Sequence, residues 1–253
     1  MALDVLRGRQ LGVVFRDVVP APVRQALITN FTTSPGRRKR GADAPGEYLG
    51  AYHYNKTIDE YLDQTDAVRT DLDAALDVPA EPLRLLRRQL RETFALSSIS
   101  FRPARHGGRE ACAGIFRSWL GRRGFALAPH EDRGQCEDPK QAGFEIQEVA
   151  ANHLVGLNVC LSNGPGGRLI VWNLRPDEAT RTRLGVRYTG SPYATESLAG
   201  VDSLLLDVRP GDIYLLNASH VHAVEPVGDT DAHRVTLSMI LGFADDETVI
   251  TWT

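Results

Sequence analysis

Three consecutive side chains in the segment APHEDRGQ, residues 128–135, are of types that bind metal ions or exchange protons. The segment follows the apolar run GFALA, a pattern typical of a β-strand that ends in a turn. On a strand, His130 and Asp132 would point to the same face, whereas on a helix they would diverge. Glu131 would point the other way, towards solvent or an ion pair. The segment is therefore predicted to be a metal-binding corner or an ordinary acidic turn.

A second predicted strand ends in NASHVHAVEPV, where His220 and His222 are also two residues apart. Either imidazole could complete a metal site with His130 and Asp132, and the other would then be a hydrogen-bonded neighbour. Two imidazoles and one carboxylate leave coordination positions open, as in the facial triad of non-haem Fe(II) oxygenases. A closed structural zinc site usually has four protein ligands, and the HExxH spacing is missing. The residues favour an open metal site.

Polar residues at alternate positions of the run HRVTLSM could bind a ligand of that metal. The turn-like GDTDA before the run predicts an antiparallel hairpin with VHAVEPV. In a register that joins the ends of this turn, His222 lies opposite Ser238. Arg234 and Thr236 then share their face. An arginine at this position suits bidentate binding of the far carboxylate of a dicarboxylic acid that chelates the metal.

Helices are predicted in the first half of the chain, from apolar residues at helical spacing. One helix is expected to begin near Pro22, and a second after Thr57, which begins a capping-box motif. A third is expected to begin at Pro82, a residue that suits the first helical turn. A fourth is predicted over REACAGIFRSWLGRRG, residues 109–124, with Gly124 as its C-cap.

After Gly124 the sequence changes to short runs rich in Val, Leu and Ile, separated by turn signals such as NGPGG and RPGD. Such spacing predicts an antiparallel sandwich or barrel. The chain is therefore predicted to be a single, mainly β domain over residues 1–253. In it, a mostly helical part over 1–124 buttresses a β core over 125–253.

The composition is that of an ordinary globular protein, with 253 residues and a formal net charge of −3. This charge gives no general attraction to nucleic acid or to an anionic membrane, and neither partner is expected. No apolar run is long enough to span a bilayer, and no signal peptide is recognised. Three widely spaced cysteines predict reduced thiols in the cytoplasm. The oligomeric state, monomer or homodimer, stays open.

These motifs together resemble the Fe(II)/2-oxoglutarate-dependent oxygenases of the double-stranded β-helix, or cupin-like, superfamily. The matching pieces are HED as the H-x-D motif, HAVEPV as the distal histidine with its valine and proline, and RVT as the R-x-S/T motif. LVGLNVCLSNGPGGRLIVWN resembles the strand pair of this fold around a Gly-Gly turn. The likeness extends loosely over about residues 45–243.

The resemblance implies a cupin-like jelly roll buttressed by α-helices, with Fe(II) as cofactor and 2-oxoglutarate and O2 as cosubstrates. It implies iron ligands at His130, Asp132 and His222, because the H-x-V-x-P pattern favours His222 over His220. It implies 2-oxoglutarate binding by Arg234 and Thr236, with Ser238 on the same face. The expected reaction is hydroxylation of an unactivated C–H bond of an amino acid or similar small metabolite, with release of succinate and CO2.

The segment YLGAYHYNKTIDEYL resembles the N-terminal part of the branch that acts on amino acids and small natural products. That branch also contains the carrier-independent halogenases, which replace the acidic ligand by glycine or alanine. Asp132 is present here, so halogenation is disfavoured. The common GGEL after the turn is GGRL in this chain, with Arg168.

Candidate substrate residues are Arg133 after the metal motif, Phe116 and Trp119 on the predicted fourth helix, and Tyr52 and His53 from the N-terminal part. Phe116 and Trp119 could instead be core residues, and Arg133 an exposed turn residue. If Arg133 faces the site, it favours an anionic group such as an amino-acid carboxylate.

Two alternative functions stay open at this point. The same machinery could hydroxylate, desaturate or cyclise a larger natural product or a nucleotide, in which case the basic run GRRKR could act as a lid rather than a solvated loop. The chain could also be a cupin that binds metal without turnover. Retention of Asp132, Arg234 and Thr236 argues against this last function. The residues do not identify the substrate.

Overall fold

The computed structural model describes residues 1–41, 46–120, 124–228 and 233–253. Within these ranges the α-helices are α1 (Ala2–Leu6), α2 (Ala21–Thr33), α3 (Ile58–Leu76), α4 (Pro82–Ala95), α5 (Arg133–Cys136), α6 (Ile146–Val149) and α7 (Glu178–Arg183). The strands are β1 (Gly12–Phe15), β2 (Arg38–Lys39), β3 (Glu47–Leu49), β4 (Ser100–Pro103), β5 (Arg105–His106), β6 (Arg109–Glu110), β7 (Ile115–Leu120), β8 (Leu127–His130), β9 (Leu154–Ser162), β10 (Leu169–Trp172), β11 (Ser203–Leu206), β12 (Ile213–Asn217), β13 (His222–Val224), β14 (His233–Asp245) and β15 (Thr248–Trp252).

Three of the four predicted helices are confirmed as α2, α3 and α4. Helix α3 begins with the predicted capping box. The Thr57 hydroxyl accepts the Glu60 backbone N–H, and the Glu60 carboxylate accepts the Thr57 backbone N–H. Pro82 opens α4, where the buried Glu81 carboxylate caps the first turn. In α3 and α4 these capping groups satisfy N–H groups that the first helical turn leaves free.

The predicted helix over residues 109–124 is wrong, because the chain there forms strands β6 and β7. Strand β7 lies between β14 and β3 in the large sheet, and both of its faces are covered. Phe116 packs on one face and Trp119 on the other. Apolar residues on both faces of a central strand do not alternate, so their spacing matched a helix. The β structure therefore extends into the first half of the chain.

Two mainly antiparallel sheets form the core of the described chain, with β15 and β4 paired in parallel. The larger sheet has the order β1-β12-β9-β14-β7-β3-β2, with β15 and β4 continuing from the far half of the long strand β14. The smaller sheet has the order β11-β10-β13-β8. The short apolar runs after Gly124 form strands, as predicted, and these are β8 to β15.

The predicted hairpin between VHAVEPV and HRVTLSM is wrong. Strand β13 pairs with β10 and β8 in the small sheet, whereas β14 pairs with β7 and β9 in the large one. The chain therefore crosses from one sheet to the other between them. Residues 229–232 of the predicted turn lie outside the described residues. Because of this crossing, β13 and β14 lie on opposite sides of a shared interior. A hairpin would have placed both strands in the same sheet.

Apolar side chains form three layers. Helices α1 to α4 pack on the outer face of the large sheet and share its main core. A second cluster lies between the two sheets and includes Trp119, Tyr214, Val171 and Val224. A third covers the outer face of the small sheet. The fold is a double-stranded β-helix, or cupin-like jelly roll, buttressed by helices on one side.

The three cysteines, at positions 112, 136 and 160, are buried and free. In the described ranges, no helix has both the length and the apolar character needed to cross a membrane.

Candidate active site

Three of the predicted ligands come together between the sheets. His130 ends β8 and His222 begins β13, and the two residues are paired across these strands. Their Nε2 atoms lie 3.9 Å and 4.0 Å from the carboxylate oxygens of Asp132. One ligand atom from each residue falls within 4.8 Å of the others. Val224 is two residues after His222 on β13, so the two side chains share a face. Val224 belongs to the cluster between the sheets, and the His222 imidazole therefore faces the same interior.

The two imidazoles are oriented for metal binding by backbone carbonyls. His130 Nδ1 lies 2.8 Å from the Ala128 carbonyl, and His222 Nδ1 lies 2.9 Å from the His220 carbonyl. Each Nδ1 must donate, so each Nε2 carries a lone pair. Burial, with a smaller contribution from the His222 charge, lowers the pKa of His130 to about 4. The two imidazoles and the carboxylate form a donor set that fits iron with positions left open.

Asp132 reaches the site through a turn rather than along the strand. Strand β8 ends at His130, and Asp132 is the N-cap of the short helix α5. Its backbone N–H donates to the Ala218 carbonyl at 2.9 Å. Gln135 Nε2 donates to Asp132 Oδ1 at 3.2 Å and so fixes the carboxylate. The shared direction of His130 and Asp132 was predicted for a strand, but the turn produces it.

Glu131 is buried and turned away from His130, Asp132 and His222. Its Oε2 accepts the Gly134 N–H at 3.0 Å, and its Oε1 lies 4.0 Å from the Arg181 guanidinium. Of the two sequence alternatives, the structure shows the ion pair and not exposure to solvent. Burial raises the pKa of Glu131 to about 7. Gly190 packs directly on this turn with φ of +61°, where a Cβ would meet the Glu131 carbonyl at 2.0 Å.

His220 does not join the group of ligand atoms. Its Nδ1 lies 3.2 Å from the Trp172 carbonyl, and its side chain is partly exposed. Its backbone carbonyl is the group that orients His222.

The predicted 2-oxoglutarate residues lie on the opposite sheet, on the inner face of β14. Arg234 is buried, and its guanidinium donates to the Gly167 carbonyl and the Tyr214 hydroxyl at 3.0 Å each. Its Nε–H is buried without a partner in the described part of the chain. Thr236 is buried on the same face, and Ser238 Oγ lies 2.7 Å from Asn158 Oδ1. This surface retains donors for a carboxylate.

Sequence reasoning missed several polar residues of this interior. Tyr214 and Asn158 lie opposite each other on β12 and β9, and Arg117 lies opposite Thr236 on β7. Gln135 stands three residues after Asp132, a spacing that a helical turn after the metal motif would have suggested. No local signal marks the other three, because their inward faces follow from pairing between distant strands.

Three of the five substrate candidates lie near the site. Burial is the main cause of the lowered pKa of His53, about 4, and the charges of Asp132 and Arg117 also act on it. Tyr52 is half-buried and interacts with Arg117. Trp119 lies on the inner face, 5.9 Å from the Arg234 guanidinium.

The other two candidates make contacts elsewhere in the fold. Phe116 lies on the outer face of the large sheet and stacks on Phe31 of α2, with 5.4 Å between ring centroids. Arg133 lies on α5 with its Nε 3.4 Å from the Glu137 carboxylate, and it is more than a third exposed. For Phe116 the alternative of a core residue is the one that the structure shows.

No protein-family model matches the chain. The L-isoleucine 3(1)-dioxygenase of Pantoea ananatis (strain AJ13355) is 32% identical over 260 residues, which cover 98% of this chain and 86% of that protein. The chain therefore belongs to the Fe(II)/2-oxoglutarate-dependent dioxygenases of amino acids and similar small metabolites. Fe(II), 2-oxoglutarate and O2 are accordingly its cofactor and cosubstrates, and a cupin without turnover is excluded.

Solved structures show the same fold. An N-substituted L-amino acid dioxygenase from Burkholderia ambifaria AMMD, in complex with alpha-KG, aligns with a TM-score of 0.62 and 15% identity, covering 99% of this chain and 89% of that one. The epimerase SnoN from nogalamycin biosynthesis aligns with a TM-score of 0.53 and 16% identity, covering 94% and 82%.

Proposed function

We propose that this chain hydroxylates a free L-amino acid with an aliphatic side chain, with Fe(II) held by His130, Asp132 and His222. The observation that carries the proposal is the convergence of these ligand atoms within 4.8 Å, on the interior that Arg234 enters from the opposite sheet. In this proposal 2-oxoglutarate binds the iron at one end and Arg234 at the other. The ligand group and Arg234 must therefore lie on facing surfaces.

Iron with 2-oxoglutarate and O2 supplies the oxidising chemistry, in which hydroxylation of a C–H bond accompanies release of succinate and CO2. The protein positions the groups. The carbonyls of Ala128 and His220 fix the imidazole tautomers, and Gln135 fixes Asp132. The apolar cluster between the sheets excludes water from the reacting groups.

Arg234 binds the distal carboxylate of 2-oxoglutarate in this proposal, with the hydroxyl groups of Thr236 and Ser238 beside it. The guanidinium has N–H groups left after its bonds to Gly167 and Tyr214, including the unpartnered Nε–H. Those two bonds hold the planar group in one orientation, which favours bidentate binding of a carboxylate.

The substrate class rests on the relative that acts on L-isoleucine and on the residues around the metal. Tyr52, His53 and Trp119 are the substrate-contacting residues that the proposal keeps. Gln141 Nε2 donates to the His53 and Lys56 carbonyls, so Gln141 Oε1 accepts from His53 Nδ1 at 3.1 Å. His53 Nε2 is then a buried acceptor without a partner in the described chain, suited to an ammonium N–H.

An anaerobic titration tests the metal and cosubstrate sites. Iron-free protein is titrated with Fe(II) and then 2-oxoglutarate while the visible charge-transfer band of the chelate is recorded. A band that requires both additions is expected. Metal binding that does not respond to 2-oxoglutarate would overturn the assignment of the site.

The substrate is tested by screening free L-amino acids for stimulated succinate release and for oxidised product. L-isoleucine, L-leucine and L-valine are expected to stimulate release, and their charged or aromatic counterparts much less. If only bulky natural products or nucleotides stimulate succinate release, the proposed substrate class is wrong and those compounds are the substrates.

A further inference from the structure

Arg117 lies on the inner face of the large sheet beside the proposed 2-oxoglutarate residues. On β7 it is opposite Thr236 of β14 on one side and Tyr48 of β3 on the other. It is two residues from Trp119, which belongs to the cluster between the sheets, so the two side chains share a face. Arg117 stays partly accessible although its strand is central, whereas Thr236 is fully buried. Its neighbours on the sheet therefore leave part of the Arg117 residue uncovered.

Charge interactions place this guanidinium near the metal ligands. Burial lowers the pKa of Arg117, and the charge of Asp132 opposes that shift more than any other group. Arg117 in turn contributes to the lowered pKa values of His130 and His53, after the larger effect of burial. In the described ranges, no carboxylate lies within ion-pair distance of Arg117.

A second guanidinium reinforces the positive charge. Arg40 lies over the Trp119 ring, 5.5 Å from its centroid, and its Nη1 is buried with no partner in the part of the chain that is described. Burial, followed by the charge of Arg117, lowers the pKa of Arg40 to about 10. Both arginines remain cationic at neutral pH.

The charges of the iron site do not balance these two cations. Fe(II) and Arg234 together carry as much positive charge as Asp132 and dianionic 2-oxoglutarate carry negative charge. Once the site is loaded, Fe(II) offsets the charge of Asp132, which then attracts Arg117 less. Arg117 then faces the loaded site without an anion of its own, so binding of a substrate anion beside it is favoured.

We propose that Arg117, flanked by Arg40, binds the carboxylate of the amino-acid substrate. The assignment rests on the proposed function. In it, the Arg117 guanidinium selects an amino acid with a free carboxylate over a neutral analogue. It replaces Arg133, the arginine that the sequence suggested for this role, which is directed towards Glu137 on the surface of α5. A planar guanidinium accepts a carboxylate in bidentate geometry, which fixes the substrate's direction relative to iron.

The test uses the anaerobic protein loaded with Fe(II) and 2-oxoglutarate. Binding of L-isoleucine and of the neutral L-isoleucinamide is followed by the shift of the visible band and by calorimetry. The wild type is expected to bind the acid about 100-fold more tightly than the amide, and Arg117→Met to lose that preference. Arg117→Lys, which keeps the charge without the planar fork, should recover part of it. Affinity for 2-oxoglutarate should not change in either variant.

Arg87→Met is the matched control, since Arg87, like Arg40, has a buried guanidinium nitrogen without a partner in the described chain but lies on α4 in the helical layer. It should retain the preference for the acid. Equal binding of acid and amide by the wild type overturns the proposal whether or not the variants fold. Equal loss in Arg87→Met and Arg117→Met overturns it as well.

The outcomes separate this proposal from the proposed function. If the wild type binds L-isoleucine and Arg117→Met binds it equally well, the function stands and the carboxylate site is wrong. If no free amino acid shifts the band of the wild type, the proposed substrate class and the carboxylate site fall together.

Discussion

The Glu131 carboxylate and the Arg181 guanidinium face each other in the protein interior, with 4.0 Å between Oε1 and Nη1. Both side chains are 1% exposed. Arg181 also donates to both oxygens of Glu137, at 2.7 Å and 2.8 Å. The arginine belongs to α7, so this pair ties the segment that covers the small sheet to the turn carrying Asp132. It lies behind the three proposed metal ligands without touching them.

Replacing Arg181 by methionine should destabilise the fold and weaken iron binding. The change leaves Glu131 buried without its cation, which should lower the free energy of unfolding by about 3 kcal/mol. Urea unfolding of the iron-free protein and the dissociation constant for Fe(II) measure the two effects. Arg168→Met, which breaks the more exposed pair with Glu225, should cost less than about 1 kcal/mol. Equal stability of the two variants would refute the role of Arg181.

The sequence allowed prediction of the parts of the site that depend on neighbours in the chain. His130 and Asp132 form a recognisable motif, and His222 follows at the end of an apolar strand with its valine and proline. The capping box at Thr57 likewise depends on groups within one helical turn. Such features are determined by local geometry, which a single sequence contains.

The parts that could not be predicted depend on contacts between distant segments. The strand pattern of β7 was hidden because Phe116 and Trp119 are both buried, on opposite faces. The inward direction of Arg117 depends on pairing with β3 and β14. The face shared by Arg234 and Thr236 was predicted from a hairpin that does not exist. The two residues nevertheless share a face, because alternate residues of β14 point to the interior whichever strand it pairs with.

Replacing His222 by alanine should weaken Fe(II) binding far more than replacing His220. His222 Nε2 points at Asp132, whereas His220 contributes only its backbone carbonyl to the orientation of His222. A loss of more than about 100-fold is expected for His222→Ala and less than about 10-fold for His220→Ala. Anaerobic Fe(II) titration with thermal unfolding of both apoproteins measures this. The reverse order would assign the ligand to His220.

Replacing Arg234 by methionine should raise the 2-oxoglutarate concentration needed for the charge-transfer band by about 100-fold or more. The affinity for Fe(II) should stay unchanged, because Arg234 lies on the opposite sheet from the imidazoles. Tyr214→Phe removes one hydrogen bond that orients the guanidinium and should cost only about 10-fold. Loss of iron from Arg234→Met would show that the residue maintains the metal site instead of binding the cosubstrate.

Protonation of His53 should make the iron-free protein less stable in mild acid. Burial lowers the pKa of this histidine to about 4, below its ordinary value of 6.5, so the unfolded chain binds the proton more readily. Its contribution to stability is complete above about pH 6.5 and is lost as the pH falls towards 4. Between about pH 7.5 and pH 5 this group alone should account for about 2 kcal/mol of lost unfolding free energy.

The measurement is urea unfolding at the two pH values for the wild type and for His53→Gln, which keeps a polar side chain without the titration. Contributions from the other buried groups are common to both proteins and cancel in the difference. The variant should lose about 2 kcal/mol less stability on acidification than the wild type. Parallel losses in the two proteins would mean that His53 titrates normally, and its Nε2 would then be exposed to solvent instead of buried.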